Sequence, residues 1–86
     1  MLEYKWSLRK SERLKKTRGV SFDEITKAKV VANREHPKRA HQNILLFEHK
    51  GYIWVVPYVA ISDQEVFLKT LYPSRRYTKL YKRGEL

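Results

Sequence analysis

Apolar and polar positions alternate differently along the chain, and the change of period marks its elements. Residues 3–7 alternate Tyr4 and Trp6 with polar neighbours, which predicts a short first strand. Residues 8–18 contain no Gly or Pro; Ser7 stands ready to cap them, and Glu12 lies at helical spacing from Lys15 and Lys16. Gly19 then offers a left-handed stop, so a helix is predicted there. Its apolar residues are chiefly Leu8 and Leu14, so it should rest on the core by a narrow stripe. Ser21 stands three residues before Glu24, the spacing of a capping box, and starts a second helix. Phe22, Ile25, Ala28 and Ala32 recur at helical intervals and predict that it runs to Val31 or Ala32. Residues 33–41, with Pro37 and mixed charge, read as a loop.

From residue 42 the period becomes two. Strands are predicted over 42–49, 52–61 and 64–72, joined by turns at Lys50-Gly51 and Ser62-Asp63, which makes an antiparallel meander. Pro57 conflicts with a central position because it removes a ladder donor; it predicts a bulge, or a partner strand that ends beside it. In the last strand Val66, Leu68, Thr70 and Tyr72 alternate with Phe67, Lys69 and Leu71, and Pro73 prevents its continuation. The tail 74–82 alternates basic and aromatic residues and reads as one short turn of helix or a segment along the sheet. The order predicts an α+β fold, with two N-terminal helices packed on one face of an antiparallel sheet of three to four strands. The other face would be free to bind.

Composition narrows the function. A chain of 86 residues has volume for one small domain. It has no cysteine, and His36, His41 and His49 do not fall in the spacing of a zinc site, so neither a structural metal nor a cofactor is expected. No apolar run is long enough to span a bilayer and residues 1–5 lack an apolar signal region, which predicts a soluble cytoplasmic protein without a membrane partner. The net charge of +10 points to an acidic partner. Residues 1–20 carry seven Lys or Arg against two Glu, a net +5, and residues 73–86 carry five against one, a net +4. Residues 42–72 carry two cations against three carboxylates, a net −1. A near-neutral sheet between basic flanks is the footprint of a phosphate-binding surface, whereas a face kept only for solubility mixes both signs.

Candidate chemistry collects at the end of the last strand. Lys69 sits among apolar neighbours, where a lysine is costly unless it faces a wet, used surface. Tyr72, Ser74, Arg75, Arg76 and Tyr77 follow it, and cationic and hydroxyl groups held on a strand exit can grip a phosphate.

At this point the residues resemble a known family. Trp6, Lys10 and Gly19-Val20-Ser21-Phe22 followed by Glu24 are similar to the N-terminal pattern of BrnT-type toxins, and Ser74-Arg75-Arg76 after a strand is similar to that family's terminal serine and basic residues. Arg18 departs from the pattern where a histidine is usual, and Leu14 where an asparagine is common. The resemblance implies a RelE-like fold, a type II toxin that cleaves mRNA, and a cognate antitoxin, either a small acidic or a ribbon-helix-helix protein. It also leaves open a homodimer or a toxin–antitoxin heterotetramer.

A ribonuclease that uses no metal needs a base for the ribose 2′-OH, cations for the phosphorane and an acid for the leaving 5′-oxygen. Arg75 and Arg76 are candidates for phosphate contact, since a guanidinium fork matches phosphate oxygens. Lys69 is the candidate base, because a lysine crowded by cations gives up its proton more readily. Tyr72 joins the catalytic candidates, while Lys10, Ser74, Tyr77, Lys79 and Trp54 are candidate RNA contacts. His49 and Glu48 adjoin a turn and could supply acid or base groups, although a histidine beside Lys50-Gly51 is more often a solvated turn residue. Trp54 and Tyr58 share one side of their strand, either as an exposed platform or as the core contact to the helices. Two other classes remain, a nucleic-acid-binding module without chemistry and a RelE-fold toxin that binds a protein target.

Overall fold

The computed structural model describes residues 2–86. Within them the chain forms β1 (Glu3–Lys5), α1 (Leu8–Arg18), α2 (Phe22–Ile25), β2 (Lys29–Glu35), β3 (Asn43–His49), β4 (Tyr52–Ala60), β5 (Glu65–Leu68), β6 (Tyr72–Pro73) and α3 (Arg75–Lys82). The α+β class is as expected, but the sheet has six strands and is mixed. Its order is β1-β5-β4-β3-β2, with β6 also pairing β4, and β1 runs parallel to β5 while the other pairs are antiparallel.

The N-terminal signals are expressed as read. Ser7 Oγ accepts from the Lys10 amide at 3.2 Å, and Gly19 closes α1 at φ 80°, where an L side chain would be strained. The α1 residues buried are Ser11 and Leu14; Leu8, expected in the same stripe, is exposed instead. The capping box also forms, with Ser21 Oγ accepting from Glu24 N at 3.2 Å and Glu24 accepting from Ser21 N at 3.1 Å. The helix it starts, however, lasts one turn. Thr26 turns its hydroxyl back to the Phe22 carbonyl at 2.9 Å, and residues 29–35 become β2 instead of the rest of a helix and the start of a loop. A capping box fixes where a helix begins and not where it ends. The β-branched pair Val30-Val31 and the unpaired outer edge of β3 then favour a strand, with a bulge between Val30 and Ala32.

Both faces of the sheet are covered. On one, Leu14, Val20, Phe22 and Ile25 from the α1–α2 side pack on Leu45, Phe47, Trp54, Val56, Tyr58, Val66, Leu68 and Leu71. On the other, which the sequence left free, α3 lays Tyr77 and Tyr81 over Ile44, Leu46, Ile53 and Val55. The tail is therefore a full helix. Its anchor is Thr78, buried, whose hydroxyl donates to Ser74 O at 2.6 Å and accepts from the Ile53 amide at 2.9 Å. That bond completes the ladder of β4 just beyond β6, where Ser74 N donates to Ile53 O.

The β3–β4 hairpin turns through Lys50 at φ 54° and Gly51 at φ 79°, the two left-handed residues of a two-residue loop. At its far end Pro57 has the bulge predicted from its missing donor. Leu68 pairs with Tyr58 but Tyr72 pairs with Val55, so the 68–72 side carries one residue more than its partner. Lys69 N donates to Pro57 O at 2.8 Å. Because a strand residue points its N–H and C=O to the same neighbour, the absent N–H of Pro57 faces this bulge. The single strand expected over 64–72 is thereby split into β5 and β6, and Lys69 lies between them, exposed.

Candidate active site at the open end of the hairpin

Pro57 determines the local path. With no donor to offer, it lets Lys69-Thr70-Leu71 leave the regular ladder, and Leu71 turns into the core with no exposure. Arg18, at the end of α1, donates from one nitrogen to the Leu71 carbonyl and, at 3.4 Å, to Thr70 Oγ1. The bulge is thus tied to the helix layer, and Lys69 and Tyr72 are left at its margin.

From the other side the 36–42 loop closes over the same end of the sheet. Its base is fixed by His36 N donating to Gln42 O at 3.0 Å. Within it His36 Nδ1 accepts from the amides of Lys38 and Arg39, both at 3.1 Å. A neutral imidazole that accepts at Nδ1 carries its proton at Nε2, so the outward nitrogen is a donor.

Between loop and bulge lies a hollow of about 330 Å³, lined by His36, Lys38, Arg39 and Gln42 on one side and by Pro57, Lys69, Thr70 and Tyr72 on the other. Three cations, an imidazole and a phenol face one space, and no carboxylate lines it. That set suits a polyanion. Burial first and then neighbouring Tyr77 push the Tyr72 phenol above its ordinary range, with Arg18 pulling the other way. The phenol therefore stays protonated at neutral pH and is a hydrogen-bond donor.

The sequence candidates separate by position. Lys69 and Tyr72 meet in the hollow. Arg75 and Arg76 open α3, exposed and outside the hollow, with the Arg76 guanidinium 5.9 Å from the Tyr77 ring centroid. Tyr77 packs inward, and Lys79 is exposed on the same helix. Ser74 is occupied as the α3 cap, accepting from Tyr77 N at 3.1 Å. Lys10 belongs to α1, in the layer across the sheet from α3. Trp54 is 8 % exposed in the α1–α2 core, as is Tyr58 at 4 %, so neither is a platform for bases; the core alternative is the right one.

Glu48 and His49 lie at the turn end of β3, on the order of 20 Å from Asn43 at about 3.4 Å per residue. They cannot act with Lys69. Glu48 instead accepts from the Tyr81 hydroxyl at 3.2 Å, which pins α3.

Besides Arg18, which ties the bulge to α1 without lining the hollow, three charged or imidazole side chains that line it were not among the candidates: His36, Lys38 and Arg39. The basic run of 34–41 was their signal, but which surface the loop covers depends on β2 pairing with β3. Among the described residues no group of three or more His, Cys, Asp or Glu could hold a metal ion, and no helix is long and apolar enough to cross a membrane.

No protein-family model and no curated protein matches this chain. Among solved structures, the crystal structure of the Brucella abortus ribonuclease toxin BrnT is similar, with a TM-score of 0.58 over 86% of this chain and 97% of that one, at 16% sequence identity. At that identity the likeness is one of fold. It extends beyond the short motifs at residues 6–24 and 74–76 to most of both chains, so this protein is similar in fold to that structure.

Proposed function

We propose that this protein is the toxin of a type II toxin–antitoxin pair, an endoribonuclease that cleaves mRNA by attack of the ribose 2′-oxygen on the adjacent phosphorus. The observation that carries the reading is the hollow at Pro57, where Lys38, Arg39, Lys69, His36 and Tyr72 converge within a fold shared with a ribonuclease toxin. Lys38 and Arg39 meet the non-bridging oxygens and stabilise the phosphorane, a contribution of roughly 10²–10³ in rate for one well-placed donor. Lys69 takes the 2′-OH proton. As the 2′-oxygen bonds to phosphorus the bond to the 5′-oxygen breaks, and that oxygen receives the Tyr72 proton, leaving a 2′,3′-cyclic phosphate and a 5′-OH. His36 Nε2–H donates to the phosphate. Arg75, Arg76 and Lys79 on α3 hold the RNA backbone beyond the scissile bond, with Tyr77 at their margin. No metal takes part, and a cognate antitoxin restrains the activity.

The test is incubation of the purified protein with mixed-sequence RNA in EDTA, followed by analysis of the product ends. Cleavage in chelator with cyclic phosphate ends is the expected result. Intact RNA held in a salt-sensitive complex would contradict it and favour a binding module without chemistry.

A further inference from the structure

Away from the Pro57 hollow, α1 carries a surface that the ribonuclease reading does not use. A hollow of about 530 Å³ runs along it, lined by Trp6, Leu8, Lys15 and Lys16 and, on its polar side, by Ser11, Glu12, Ser21 and Asp23. Leu8 is 74% exposed, the highest value among the large apolar side chains described. Beside this apolar strip, Arg9, Arg13 and Lys16 follow at i, i+4 and i+7, a continuous cationic row on the helix.

The helix carries six cations against one carboxylate, Glu12, for a net +5. Lys15 is paired with Glu24 at 2.7 Å and Arg18 is committed to Leu71. Arg9, Lys10, Arg13 and Lys16 have no ion pair among the described residues. Like charges at these spacings repel and weaken the helix that bears them, and a row of carboxylates opposite would relieve the repulsion. The aliphatic strip decides the class of partner. Leu8 has nothing to offer a phosphate, whereas an apolar anchor inside a polar rim is how protein interfaces are built.

We infer that this groove is the docking site for an acidic amphipathic helix of a protein partner, its apolar residues seated between Trp6 and Leu8 and its carboxylates along Arg9, Arg13 and Lys16. The inference rests on the toxin–antitoxin reading for the identity of that partner, the antitoxin, and deepens it by naming the surface and its chemistry.

The probe is a fluorescein-labelled helical peptide with glutamates at i, i+4 and i+7 and leucines on the adjoining stripe. The control replaces its leucines by glutamine at the same charge. Anisotropy with the full chain at about 0.15 M salt is expected to give binding at least about tenfold tighter for the leucine peptide. Leu8→Asp and Arg13→Glu, each with parental circular dichroism, should weaken it about tenfold or more, whereas Arg76→Ala should leave it within about twofold. Equal binding of the two peptides, no binding of either, or indifference to Leu8→Asp would overturn the inference. RNA cleavage assayed alongside separates the two ideas. Cleavage without peptide discrimination sinks the docking surface alone, and peptide discrimination without cleavage leaves the surface standing and removes the ribonuclease.

Discussion

The β3–β4 hairpin has two ends, and they are finished differently. At the turn end Lys50-Gly51 supplies the two left-handed residues that a tight loop requires, Glu48 accepts from Tyr81, and the Thr78 hydroxyl accepts from the Ile53 amide of β4. At the other end Pro57 withholds a donor, the neighbouring strand bulges, and Lys38, Arg39 and Lys69 are brought together without a carboxylate among them. One end is closed by hydrogen bonds and the other is held open by a proline. The difference teaches that a ladder defect can define a site: the cations lie where regular pairing fails.

The largest effect should come from the open end. Lys69→Ala is expected to reduce RNA cleavage by about 10²-fold or more at unchanged melting temperature, because an exposed side chain leaves no cavity while the base for the 2′-OH is lost. Single-turnover cleavage rates beside thermal melts check it, and a fall of less than threefold would remove Lys69 from the chemistry.

Pro57→Val restores an amide opposite the bulge. With a donor available the ladder can close and re-aim Lys69, so cleavage should fall about tenfold, equivalent to about 1.4 kcal/mol. Stability should stay level or rise, and a loss of both together would mean that Pro57 is only a packing residue.

At the closed end the effects should appear in stability. Thr78→Val leaves the Ile53 amide buried without a partner, which costs about 1–3 kcal/mol. One kcal/mol lowers the melting temperature by roughly 4–8 °C in a domain of this size, and Thr78→Ser should recover most of the loss. Tyr81→Phe removes the half-buried bond to Glu48 and is expected to cost about 0.5–1.5 kcal/mol with cleavage intact. If it abolished cleavage instead, the two ends would not be independent.

The smallest effect lies on the helix layer. Glu24 is held at about 2 by the Lys15 ammonium 2.7 Å away and then by the Ser21 amide. A carboxyl lowered in the folded state adds stability above its unfolded value, and that stability is lost as pH falls through the folded value. Glu24→Gln should therefore melt below the parent at pH 7, with the gap narrowing from about pH 4 towards pH 2. A gap independent of pH would place the role of Glu24 in its capping geometry and not in its charge.

Which parts were legible follows from how local their causes are. Ser7 and Gly19 specify α1 within one stretch, Lys50-Gly51 specifies its turn, and the missing donor of Pro57 specifies a bulge. β2 was read as helix because Phe22, Ile25, Ala28 and Ala32 keep helical spacing; only the edge of β3, met in three dimensions, decides for a strand. The parallel pairing of β1 with β5 joins residues about sixty positions apart, which five alternating residues cannot announce. α3 was underestimated because its inward Tyr77, Thr78 and Tyr81 acquire meaning only over Ile44 and Ile53. The site was half legible: Lys69 and Tyr72 came from alternation beside Pro73, while His36, Lys38 and Arg39 arrive on a loop whose course depends on β2. The face of Trp54 and Tyr58 stayed open for the same reason, since alternation sorts a strand into two sides without saying which is buried.

The central claim is that RNA engages the open end. It is tested most directly by following backbone amide resonances while adding a short RNA whose 2′-hydroxyls are methylated, so that it binds without reacting. The expected result is that residues 36–42 and 69–72 shift and saturate together while 48–52 and residues 8–14 of α1 stay still. Shifts confined to α1, with the Pro57 hollow silent, would contradict it.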